Sequence, residues 1–414
     1  MLFDINNYNI YIATLSFFIV FLAIYFLFKA HITSMLDPLF LHIIWMSTFP
    51  ALMIIFLEKN KISVVYIYLI TSFFSYTISL LFFLKIYHSE KNKKIKKSVK
   101  YSNKKSKIIS YSMFFLFFVS KLSFFSYAID QSDLSNIFNY RFENIQGRNA
   151  IERIISIGII PFMYFFLFRM IILNTNRRIN IFIISIITSI NILSGGRSAL
   201  ISLLFSFGFY IFFFRHELNY NIISKINNKA PIFLTIALVL AMVISSFYGD
   251  EDTRQSGIKI IINRFFAAHD GIEYYLKYNG FEYLQSGLYP YFLSIFAVYV
   301  KQFIMIDYKN IGWQLSELAI GSDLSFAQGA NYTFLLQGII LSPMLSPLYA
   351  ILIAWIVAKM RYLYANNHAK LILYYALSSK AFLIASDAEY FMLNIISIFI
   401  FYLLFVYPLI KLRL

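Results

Sequence analysis

Long apolar runs alternate with short polar stretches along the whole chain. A hydrocarbon core about 30 Å thick takes roughly 20 residues of α-helix per crossing. Residues 10–28, 62–84 and 108–128 reach that length outright. The complete reading places spans at residues 10–29, 38–57, 62–84, 108–128, 154–173, 181–193, 199–214, 231–248, 335–358, 371–385 and 391–410. The pattern predicts an all-α, polytopic membrane protein with about eleven transmembrane helices, because an open strand cannot satisfy its backbone in lipid. Spans 181–193 and 371–385 are short, which predicts helices ending in a protein-lined cavity. Residues 291–306 are apolar enough to cross but carry Lys301, and they read as a helix lying on or dipping into the outer leaflet.

Composition agrees. Apolar residues make up 60% of the chain and charged residues only 14%, against roughly 25% in a soluble domain. There is no cysteine, which excludes disulfides and thiolate metal sites. No histidine pair has metal-ligand spacing, and no P-loop or dinucleotide fingerprint is present, so neither metal nor cofactor is expected. The net charge of +16 reads as loop charge rather than a nucleic-acid footprint, since Lys and Arg collect in cytoplasmic loops.

Those charges give the orientation. Residues 85–107 hold ten lysines and form a cytoplasmic loop. Three spans precede it, so the N-terminus lies outside. Met1–Asn9 carries no Lys or Arg, hence no basic leader region, and the first apolar run is expected to stay as a helix. Continued to the end, the count makes residues 1–414 one transmembrane domain with outer loops at 129–153 and 249–334 and a cytoplasmic C-terminus.

Six of the twelve arginines then lie outside: Arg141, Arg148, Arg153, Arg197, Arg254 and Arg264. Arg197 stands in Ser194-Gly195-Gly196-Arg197-Ser198, between two spans. Gly195 and Gly196 allow close backbone approach to a ligand, and Ser198 can cap the next helix, whose N-terminus favours an anion. A guanidinium there suits a phosphate or pyrophosphate. Arg264, Arg254 and Arg148 are the further candidates for that anion. Arg264 opens a second cluster that runs to His269-Asp270-Gly271. His269 is the one histidine this topology puts outside. It can act as a general base toward a hydroxyl, with Asp270 orienting it or serving as the base itself. The bland alternatives are solvated loop charges and a bystander histidine. Lys121 and Lys380 lie in the outer parts of their spans, where snorkelling explains them.

Taken together, Leu193-Ser194-Gly195-Gly196-Arg197-Ser198-Ala199, the His269-Asp270-Gly271 cluster and Gly329-Ala330-Asn331-Tyr332 before Gly338 resemble an O-antigen polymerase of the Wzy type. The resemblance covers the overall pattern of spans, while the motifs cover a small part of the chain. It implies joining of oligosaccharide repeats carried on undecaprenyl pyrophosphate, at the periplasmic face of a bacterial inner membrane. It also implies membrane lipid as a partner, with a chain-length regulator and a flippase of the same pathway, and Asn331 as a substrate contact. Related ligases would be expected to show His-Asn where this chain has Ala330-Asn331, which argues against a ligase. The base stays open between His269, Asp270 and substrate-assisted chemistry. The rival readings are a lipid-linked oligosaccharide flippase and a ligase-like transferase.

Overall fold

A computed structural model describes residues 9–57, 64–94, 103–131, 150–194, 199–218, 220–246, 266–300, 309–321 and 330–411. Among these the regular structure is entirely helical. The longer helices are α1 (Ile10–Phe28), α2 (Pro38–Leu57), α3 (Val64–Lys94), α4 (Asn103–Val119), α5 (Leu122–Ile129), α6 (Ala150–Ile172), α7 (Arg177–Leu193), α8 (Ala199–Phe214) and α9 (Tyr220–Ser246). They are followed by α10 (Asp270–Lys277), α11 (Gly280–Tyr283), α12 (Leu288–Val300), α13 (Ile311–Ile320), α14 (Phe334–Leu341), α15 (Ser346–Arg361), α16 (His368–Ser378), α17 (Leu383–Ser386) and α18 (Ala388–Phe401). A π-turn, Tyr402–Val406, joins α18 to α19 (Tyr407–Lys411).

Seven of the described helical stretches are long and apolar enough to cross a membrane, or eight if the bent pair α4–α5 is one span. The bend of 46° falls at Ser120-Lys121. Two of the expected continuous spans are broken. Residues 335–358 divide into α14 and α15 around Ser342-Pro343, because proline pushes the preceding residue out of helical geometry. Ser342 is accordingly extended (φ −172°, ψ 123°). Gly338 lies against Ser346 and Tyr349, so α14 folds back along α15 instead of continuing it. Residues 371–385 divide into α16 and α17 at the polar stretch Ser378-Ser379-Lys380. Span 181–193 lies inside α7, which reaches only 17 residues even with Arg177 and Arg178 included. The expected surface helix at 291–306 overlaps α12, which packs on α14 and α18.

Packing places α15 along α3, α6 along α18, and α1 against α2 as a hairpin. Of the spans, Ile154–Ile172 in α6 is the most enclosed and Ile223–Val243 in α9 the least. The α1–α2 turn is closed by Asp37. Its carboxylate accepts from the Thr33 amide and hydroxyl (3.0 and 2.9 Å) and from the Leu39 amide (2.9 Å). Arg361, at the end of α15, donates to the same carboxylate at 2.8 Å, and both side chains are fully buried. The guanidinium also lies 3.7 Å over the Phe212 ring of α8. One ion pair thus ties the α1–α2 turn, α8 and α15 together.

Candidate active site

Three of the candidate catalytic and ligand-binding residues lie in the described part of the chain: His269, Asp270 and Asn331. The structure brings them together. Arg148, Gly195, Gly196, Arg197, Ser198, Arg254 and Arg264 lie outside the described residues.

The site is built around the extended segment Ala330–Thr333. It runs between the start of α10 and the start of α13, tied to each by a backbone hydrogen bond. The Gly271 amide donates to the Asn331 carbonyl (3.1 Å), and the Ala330 amide donates to the Gly312 carbonyl (2.9 Å). Glycine is required on both sides. A Cβ on Gly271 would stand 2.4 Å from the Asn331 carbonyl oxygen, and one on Gly312 would stand 2.2 Å from that of Ala330. Side chains along the segment alternate, as in any extended chain. Asn331 and Tyr332 therefore reach to different neighbours.

Asn331 meets Asp270, the first residue of α10. Its amide N–H donates to the Asp270 carboxylate at 2.6 Å, with a longer contact from Nδ2 at 3.4 Å. Nδ2 also donates to the Ala267 carbonyl at 2.6 Å, which fixes the turn before α10. Burial pushes the Asp270 carboxyl up to about 7. The bonds from Asn331 and Gly271 pull the other way, and the neighbouring carboxylate Glu273 adds to the rise. Asp270 is half-buried.

Tyr332 meets a carboxylate that the sequence reading passed over. Its hydroxyl donates to Glu389 of α18 at 2.7 Å, and Asn310 Nδ2 donates to the same oxygen at 3.3 Å. Asn310 also caps α13 through the Trp313 amide at 2.8 Å. Glu389 is buried. In sequence it stands two residues after Asp387, which caps α18 through the Tyr390 amide at 2.7 Å. An acid in a first helical turn reads as dipole compensation.

His269 is 1% exposed. Its ring lies 4.9 Å from that of Trp45 and 5.7 Å from that of Phe49, and Nε2 contacts the Trp45 carbonyl at 3.3 Å. Burial lowers its pKa to about 4, so the imidazole is neutral at pH 7. The stack continues from Trp45 to His42 (5.2 Å), whose Nε2 is 2.7 Å from the Tyr76 hydroxyl. Trp45 and Phe49 lie eight and twelve residues into the 20-residue α2. His269 therefore sits at mid-length of a spanning helix. The solvated outer loop anticipated there is here folded against the bundle.

Tyr274 and Tyr275 belong to the core, while Tyr283 and Tyr289 are 68% and 74% exposed. No group of three or more His, Asp or Glu side chains suited to a metal occurs among the described residues. Comparison with protein-family models, curated proteins and solved structures finds no match.

Proposed function

We propose that this protein is an O-antigen polymerase of the Wzy type. It would join oligosaccharide repeats carried on undecaprenyl pyrophosphate at the periplasmic face of a bacterial inner membrane, as an eleven-helix protein whose outer segment, residues 249–334, folds back into the bundle around His269. The observation that carries the reading is Asp270: a half-buried carboxylate with a pKa raised to about 7, fixed by Asn331. A general base works best when its pKa lies near the operating pH. Asp270 is therefore the better base, and buried His269 becomes a positioning residue that holds the turn before α10 against α2.

The chemistry follows from those assignments. A sugar hydroxyl of the incoming lipid-linked repeat gives its proton to Asp270. Its oxygen attacks the anomeric carbon of the growing chain, and the bond from that carbon to the pyrophosphate oxygen breaks. The developing negative charge on the leaving group needs fixed donors, the role proposed for Arg197 and Arg264, with Arg254 and Arg148 as further candidates.

Two expectations test these elements. A cysteine at Ser286 should react with an impermeant thiol reagent applied outside, and one at Ser102 should not; the native chain has no background cysteine. Labelling of Ser102 instead would reverse the topology. Arg197→Ala and Arg264→Ala should abolish polymer while the protein accumulates normally. Lysine should rescue poorly because it lacks the planar fork. Normal polymer from both alanine variants would remove the anion site.

A flippase for lipid-linked oligosaccharide is the second reading. The observation favouring it is the burial of Glu273 and Glu389 inside the helical bundle, since transporters place charged groups along an internal path. Deleting the gene separates the two. Loss of a polymerase leaves single repeats on the cell surface, and loss of a flippase leaves none.

A further inference from the structure

A groove of about 630 Å³ opens between α4 and the C-terminal π-turn with α19, lined among others by Tyr111, Phe115, Leu116, Leu404 and Pro408. Its origin is local. The π-turn Tyr402–Val406 interrupts the α-helical ladder, and Pro408 supplies no backbone N–H. We infer that this groove is a binding site for one anionic phospholipid.

The occupant follows from the polarity of the groove. One end is basic. Lys107 stands 5.8 Å from the Tyr111 ring and Lys411 stands 5.4 Å from the Tyr407 ring. Lys105 donates to the Ile410 carbonyl, fastening α4 to α19 at that end. The Tyr111 hydroxyl, on the groove wall, is buried and has no hydrogen-bond partner among the described residues. From that end the groove is apolar. Leu116 lies nine residues beyond Lys107, about 14 Å along the helix, and Leu404 lies seven residues before Lys411, about 10 Å. Half of a hydrocarbon core about 30 Å thick is about 15 Å. A charged mouth and an apolar channel one leaflet deep match a phospholipid with an anionic headgroup, whereas a long polyprenyl chain would overrun the channel. Basic pockets between membrane helices recognise such headgroups. The lysines lie at the cytoplasmic end by the charge topology, so the site belongs to the leaflet opposite the proposed chemistry.

The test uses the full-length protein in detergent, titrated separately with phosphatidylglycerol and phosphatidylcholine, with bound lipid counted by native mass spectrometry. Wild type should retain phosphatidylglycerol in preference. Leu404→Trp, which fills the groove from a 63% exposed position, should lose that retention. Phe74→Trp, at a 57% exposed position on α3, should keep it. Lys107→Gln with Lys411→Gln should weaken phosphatidylglycerol by about fivefold per lysine and leave phosphatidylcholine unchanged. Should Leu404→Trp fail to accumulate, Ser112→Phe narrows the groove from the opposite wall and repeats the measurement. Equal retention of the two lipids by wild type would overturn the inference, as would equal retention of phosphatidylglycerol by the groove-filling and Phe74→Trp variants.

Discussion

Asp270→Asn should stop polymer formation while the protein still folds and inserts. Asparagine keeps an oxygen that can accept from the Asn331 amide, now 2.6 Å from the carboxylate, so the segment Ala330–Thr333 stays in place. What is lost is the proton acceptor. A general base contributes about 10²–10⁴-fold to rate, so polymer synthesis should fall to on the order of 1% or below. In wild type the rate should rise through pH 7 as the carboxyl ionises. Stability runs the opposite way. A carboxyl whose pKa rises on folding binds more protons folded than unfolded, so stability declines as pH climbs from about 4 toward about 7. Asp270→Asn should then be no less stable than wild type at pH 8. Glu282→Gln, at an exposed acid in the same segment, is the control and should retain full activity. If Asp270→Asn makes normal polymer, Asp270 serves only to hold Asn331. A loss of stability at pH 8 together with lost polymer would also assign it to structure.

The second large effect concerns the buried pair Asp37–Arg361. Removing one partner leaves the other charge buried without compensation, which typically costs about 3–5 kcal/mol. Arg361→Met should therefore lower stability by roughly that amount in detergent unfolding and reduce the level of folded protein. Asp37→Leu should do the same. The double variant should recover the part of the loss that comes from an unpaired buried charge, but not the part that comes from the Thr33 and Leu39 donors left without Asp37. Phe212, 3.7 Å from the guanidinium, provides an apolar surface for the methionine. If the single variants unfold like wild type, the pair does not hold the α1–α2 turn to α15. If the double variant is as unstable as the sum of the singles, the residues act independently.

Which features were legible in the sequence has a physical explanation. Apolar length alone identified the long spans, because a crossing needs only enough hydrophobic residues in a row. The interruptions left weaker marks. Ser342-Pro343 lies inside a run that is apolar on both sides, and Ser378-Ser379-Lys380 is a short polar patch in another. Both marks are short against the apolar runs around them. The pairing of Asp270 with Asn331 joins residues 61 apart in sequence, and that of Tyr332 with Glu389 joins residues 57 apart. Neither separation leaves a local pattern. The close approach through Gly271 and Gly312 depends on where the segment Ala330–Thr333 folds back, which spacing along the chain does not encode. His269 was visible as a histidine in an outer segment. Its ring contact with Trp45 was not, because an aromatic ring in α2 gives no sign of which distant ring it will meet.

The most direct test reconstitutes the purified full-length protein in proteoliposomes with its outer face accessible, adds a defined undecaprenyl-pyrophosphate-linked repeat to that face, and resolves the products by chain length. A polymerase predicts a ladder of lipid-linked oligomers with release of undecaprenyl pyrophosphate, lost in Asp270→Asn and in Arg264→Ala. Single repeats that move across the bilayer without being joined would contradict the account and identify a flippase.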